Sequence, residues 1–209
     1  MKSSVKGIIA VLLAGSFWGS MCLFVNYFNK IGIHTMQTVL IRMVLTSLFM
    51  FLALLIFKPA LLKIKLKDLW CFICNGLLSL LMFSFCYFST IDIAGAAPAA
   101  VLLYTAPIIV TVFSVFFFKE RLSIKKIIAC ALAVLGCVFV SGFIGNGGSI
   151  PPKALMFGLL SGLGYALYSI FTRIAINKGY NALTVIFYSF IIGLIGSIPL
   201  TDVKGGIEV

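Results

Sequence analysis

The chain has 209 residues, 62% of them hydrophobic and 10% charged, with a formal net charge of +11. Soluble domains are about 45–50% apolar and about 25% charged. That composition excludes a soluble globular enzyme and points to an all-α integral membrane protein. The positive charge therefore has to be explained by where Lys and Arg sit, not by a nucleic-acid partner.

The first apolar run follows Lys2 and Lys6 and continues past Trp18 to about Phe28. A signal-peptide core is only about 7–15 residues long, so this run reads as a retained first span. A crossing helix needs about 20 mainly apolar residues, and backbone in lipid must bond within its own segment. Seven segments meet that description: Gly7–Phe28, Met36–Phe57, Leu69–Ile91, Ala97–Phe118, Ile127–Phe143, Ala154–Thr172 and Ala182–Leu200. With the N-terminus in the cytoplasm, inside loops carry twelve of the sixteen Lys and Arg residues. Outside stretches carry Lys30, Lys153 and Lys204, and Arg42 lies within a span. This asymmetry sets the N-terminus inside and accounts for the basic charge without nucleic acid. The inside loops are expected to meet anionic lipid headgroups.

The six cysteines all fall in apolar segments, where free thiols behave as small apolar side chains. Cys71 and Cys74 form a C-x-x-C, but no second Cys pair or His lies nearby in sequence, so a metal or redox site is not expected. No cofactor is expected either.

A shift of the chain by 147 residues places Gly15 on Gly162, Trp18 on Tyr165, Phe24 on Phe171 and Gly32 on Gly179 without a gap. Five spans precede the second copy, so that copy starts from the opposite face of the membrane. This is the inverted-repeat plan frequent in secondary transporters. The expected organisation is a five-helix repeat over residues 1–143, an external Gly/Pro linker over 144–153, and an incomplete second repeat of two helices over 154–209. The chain is then a fragment, or a partial unit that self-associates as a homo-oligomer.

Gly15 and "FWGS" around Trp18, Arg42 near the start of the second span, and "CYFSTIDIAGAAPAAVLLYTAPIIVTVFSVFFFKERLS" at 86–123 resemble the EamA-type repeat of the drug/metabolite transporter superfamily. In that family a small-residue turn leads into a helix with a mid-helix proline, closed by an acidic–basic pair. The matching positions here are Ala94–Ala97, Pro107, and Glu120 with Arg121. The resemblance implies ten spans in full-length members, in two five-span repeats around a central substrate cavity. Seven are visible here.

The site candidates come from spacing. Tyr104, Pro107, Thr111 and Ser114 recur at intervals of three, four and three and share a helix face. Proline deprives the Leu103 carbonyl of its helical donor and is expected to kink the helix, which suits a cavity lining or packing alone. Gly15, Trp18, Gly19, Cys22 and Asn26 share a face of the first span, read as cavity wall or helix seam. Ser161, Tyr165, Tyr168 and Thr172 form the matching stripe in the sixth span. Asn75, Ser79, Phe83 and Tyr87 follow a spacing of four in the third. Tyr87 also suits an interface anchor. Arg42 lies roughly 9 Å deep at 1.5 Å per residue; it serves a cavity or gate, or snorkels outward. The candidate substrate-binding set is Trp18, Arg42, Tyr87, Tyr104, Pro107, Thr111, Tyr165 and Tyr168.

The expected function is secondary or facilitative transport of a small organic metabolite, aromatic or amphiphilic, by alternating access. The alternative is a non-transporting truncated remnant or membrane interaction subunit. A membrane enzyme is disfavoured, because one His and five acids at helix ends or in loops give no catalytic constellation.

Overall fold

The structure, a computed structural model, describes residues 2–118 and 150–201, together with positions 124, 127, 128, 131, 132, 135 and 139. Apart from those isolated positions, the expected fifth span Ile127–Phe143 lies outside the described residues, as does most of the expected linker.

The described residues are helical, without strands, as an apolar bundle in lipid requires. Helix α1 is Lys2–Lys30 and α2 is Thr35–Phe57. After two 3-10 turns, α3 (Leu69–Ile73) passes through a π-helical stretch, Cys74–Leu81, into α4 (Met82–Ala94). Then come α5 (Ala96–Leu103), α6 (Ala106–Phe118), α7 (Pro152–Asn177) and α8 (Ala182–Ser197). They make six helical segments long and apolar enough to cross a membrane: Gly7–Lys30, Thr35–Phe57, Leu66–Ala94, Ala96–Phe116, Pro152–Asn177 and Ala182–Leu200. The chain is an all-α, multi-pass membrane protein.

Two hairpins share one turn. Helix α1 ends where Ile33 N donates to Phe28 O at 2.9 Å and Gly32 N to Asn29 O at 3.1 Å. Helix α7 ends where Tyr180 N donates to Ala175 O at 3.2 Å and Gly179 N to Ile176 O at 2.9 Å. Both are Schellman-type ends, which need a residue at positive φ. Gly32 (φ 82°) and Gly179 (φ 94°) supply it. Every one of these positions is paired with its counterpart 147 residues on, as are the starts of α2 and α8.

The third span is the centre of the bundle. The main core gathers Leu80, Leu81, Phe83, Tyr87, Phe88 and Ile91 from it, with Val25, Val39, Met43, Ala99 and Phe190 from its neighbours. The π stretch packs against α8 across a seam of small residues. A Cβ on Gly76 would lie 2.8 Å from the Ser189 carbonyl, and one on Gly193 would lie 3.4 Å from the Gly76 carbonyl. Only glycine permits such backbone approach. The π geometry also explains the four-residue stripe. A π-helix holds more residues per turn than an α-helix, so spacing by four drifts less there. Asn75, Ser79, Phe83 and Tyr87 are all buried, and Ser79 Oγ bonds Cys74 O, five residues back, at 3.3 Å.

Among the described residues, a carboxylate ties each end of the bundle. At one end Asp92 accepts from Asn29 and Thr35, joining α4 to the α1–α2 turn. At the other, Asp68 pairs with Lys178 at 2.5 Å and accepts from Tyr180 Oη at 2.8 Å. Tyr180 Oη also accepts from Lys65 N at 3.1 Å, and Tyr188 Oη donates to Leu62 O at 2.6 Å. The Lys178 ammonium, hydrogen-bonded to Asp68, is held above the ordinary lysine range and lies 5.2 Å from the Trp70 ring centre.

Candidate functional site

The site begins with a broken helix. Pro107 cannot donate to the carbonyl of Leu103, and its ring crowds that carbonyl. The sequence predicts a kink at Pro107. The structure opens the helix just before it, at Tyr104–Thr105, because the disturbed carbonyl lies four residues before the proline. The loose groups find local partners. Thr105 donates to Leu102 O from both N (3.2 Å) and Oγ1 (2.7 Å). Thr105 O accepts from Ile108 N and Ile109 N at 3.1 and 3.2 Å.

Helix α7 makes room for the break. A Cβ on Gly158 would lie 2.2 Å from the Leu102 side chain, and one on Gly162 would lie 2.4 Å from Thr105 Oγ1. A Cβ on Gly164 would lie 3.0 Å from the Phe83 backbone. These glycines therefore hold α7 against both α4 and the α5–α6 break.

Beside the break lies a cavity of about 730 Å³ between α1, α4, α5, α6 and α7. Small-molecule pockets span roughly 300–1,000 Å³. Its aromatic walls are Trp18, Tyr87, Tyr104 and Tyr165, with Pro107 beside them. Gly15, Gly19, Ala96, Ala97 and Ala100 keep it open by their small size. None of these lining residues is charged. The rings touch one another: Trp18 and Tyr165 have centroids 5.7 Å apart, and Phe83 lies 5.6 Å from both Tyr165 and Tyr87. Cys22 Sγ lies 3.9 Å from Tyr87 Oη. Gly15, Pro107 and Tyr165 fall near the middle of their spans, and Ala96 begins α5. The lining thus runs from mid-membrane toward the Asp92 end, away from the Asp68–Lys178 pair.

Of the eight residues singled out from sequence, five line this cavity: Trp18, Tyr87, Tyr104, Pro107 and Tyr165. Three stand outside it. Thr111 Oγ1 donates to Pro107 O at 2.8 Å, within its own helix. Tyr168 packs against the main core. Arg42 turns into the bundle rather than running to the membrane surface. Its Nη1 donates to Ser84 Oγ at 3.0 Å, and its guanidinium lies 5.7–5.9 Å from the ring centres of Phe83, Phe88 and Phe190. The alanines of α5 were missed as lining residues, since small apolar side chains carry no polar signal. Phe83 appears in the stripe of the third span, but its place as the ring joining Tyr87, Tyr165 and Arg42 needs tertiary structure.

Comparison with known proteins agrees with this architecture. Residues 5–142 match the model of the EamA-like transporter family. Two proteins of Archaeoglobus fulgidus, each named an uncharacterized transporter, are similar in sequence. One is 28% identical over 202 residues, 92% of this chain and 65% of its own length. The other is 30% identical over 106 residues, 49% of this chain and 34% of its own length. A solved protein structure shares the fold at TM-score 0.59 and 18% identity, over 87% of this chain and 62% of that one. The chain therefore spans about two thirds of the length of the first relative and of the solved chain. The family match covers well over half of the sequence, and the chain belongs to the EamA-like transporter family.

Proposed function

We propose that this protein is a secondary or facilitative transporter of small organic metabolites, and that the aromatic cavity is its substrate site. The observation that carries this reading is the meeting of Trp18 and Tyr165. These residues are 147 positions apart, come from the first helix of each proposed repeat, and pack ring against ring at mid-membrane beside a broken helix. Broken helices beside a central cavity are a recurring device of transporters built from inverted repeats. The matched hairpin turns support the same division into a repeat over 1–143, a linker over 144–153 and a second repeat over 154–209. Four aromatic side chains with small residues between them suit an aromatic or amphiphilic substrate.

The same geometry supports a reading of alternating access. The lining runs toward the Asp92 end, and the Asp68–Lys178–Tyr180 cluster ties the opposite end across the two repeats. By the distribution of Lys and Arg, the N-terminus and the Asp68 end face the cytoplasm, in the plasma membrane. The cavity then faces outward here, and release of the Asp68 cluster accompanies the inward-facing state.

The test is uptake into membrane vesicles holding the full chain, using a panel of tritiated aromatic amino acids and aromatic carboxylates. Uptake of at least one of them, reduced about tenfold in a Trp18→Ala, Tyr165→Ala double variant of normal yield, is the expected result. Equal uptake by wild type and double variant removes the cavity from the pathway.

A further inference from the structure

Among the described residues, nothing acidic meets Arg42. Its guanidinium bonds Ser84 and overlies three phenylalanine rings, and no carboxylate pairs with it among the described residues. Guanidinium stays charged in proteins, and a charge inside a membrane bundle is costly without a countercharge. Cation–π contacts and one neutral hydrogen bond offset part of that cost.

The charge lies one ring behind the cavity wall. Arg42 is 5.9 Å from the centre of Phe83, and Phe83 is 5.6 Å from each of Tyr87 and Tyr165, both of which line the cavity. The described lining residues carry no charge of their own to cancel its field. Tyrosine hydroxyls and the Trp18 indole N–H offer neutral donors at the surface.

We propose that the cavity selects small organic anions. A carboxylate or similar group sits toward Tyr87, within the field of Arg42, and an apolar or aromatic body lies against Trp18, Tyr104 and Tyr165. This rests on the transporter reading above and names the charge of its substrate. Arg42 sets specificity through its charge, across Phe83, without lining the cavity. At about 10 Å in an environment of intermediate dielectric, such a charge changes affinity for an anion by about tenfold.

The experiment uses the full chain in lipid nanodiscs with Trp70→Phe, which leaves Trp18 as the only tryptophan. Trp18 emission is titrated with three probes of matched shape: 3-phenylpropionate, its neutral amide, and 3-phenylpropylammonium. The expected result is binding of the anion about tenfold tighter than the amide, with the cation weakest. Arg42→Gln removes the preference, lowering anion affinity about tenfold and leaving the amide unchanged, while Arg42→Lys retains it. Equal binding of anion and amide overturns the proposal, as does an equal loss for both in Arg42→Gln. If Arg42→Gln yields no folded protein, the three-probe comparison and Arg42→Lys decide alone. If amide or ammonium binds best, the cavity reading stands and the anion proposal falls. If no probe alters Trp18 emission, both fall together.

Discussion

The hairpin of α1 and α2 and the hairpin of α7 and α8 turn alike and pack differently. Both turns use a glycine at positive φ and the same pair of backbone bonds, 147 residues apart. Yet 6% of the most apolar window of the first span is buried, against 39% in the span of α7. The same residue type therefore does two jobs. Gly162 admits the broken helix, whereas a Cβ on its counterpart Gly15 would meet nothing within 4 Å, and Gly15 lines the cavity. Local turn chemistry fixes the hairpin; the neighbours decide whether its small residues become a seam or a wall.

The largest expected effect tests that division directly. Gly162→Val forces a side chain into Thr105 and Leu102, and overpacking of this kind costs about 1–3 kcal/mol or more. Gly15→Val adds the same group to open space. The first variant should lose most of its folded, monodisperse protein in detergent on size exclusion, and the second should keep it while weakening ligand binding. Similar yields for both would break the contrast.

The aromatic pair sharpens it. Tyr165 also packs on the buried Phe83, so Tyr165→Ala should lower both thermal stability and uptake. Trp18, which is 41% exposed, should lower uptake with little change in melting temperature when replaced by Ala.

A smaller effect is expected at the Asp68 end. Asp68→Asn removes the partner of Lys178 and should lower the melting temperature by a few degrees. The pH dependence has a defined sign. The Lys178 pKa is raised in the folded protein by its hydrogen bond to Asp68. The stability it contributes is complete below the ordinary lysine pKa and is lost as pH rises through the raised value. The gap in melting temperature between wild type and Asp68→Asn should thus hold up to the ordinary lysine value of 10.5 and shrink as pH rises above it.

The smallest effects are at the turns. Gly32→Ala and Gly179→Ala each place a side chain at positive φ and should each cost about 1 kcal/mol in thermal unfolding. Markedly unequal costs would indicate that the two turns are not equivalent.

Much of this was legible in sequence because lipid imposes strong rules. Long apolar runs had to be helices, Pro107 had to disturb Leu103, and the helical spacing that grouped Gly15, Trp18, Gly19 and Cys22 marked one cavity wall. Other features depend on partners far away in the chain. Asp68 meets Lys178 and Tyr180 more than a hundred residues on, with no local pattern to announce it. The π stretch at Cys74–Leu81 accompanies the packing of Gly76 on α8, and the sequence around it reads as ordinary apolar helix. The direction of Arg42 is set by Ser84 and three rings from two other spans, so depth alone left an outward and an inward course equally open.

The most direct measurement is uptake by vesicles containing wild type or the Trp18→Ala, Tyr165→Ala variant at matched protein content. Loss of about tenfold in uptake, with unchanged insertion, is the result predicted for a substrate site where the two repeats meet. Undiminished uptake by the double variant would contradict the central claim that this cavity carries the substrate.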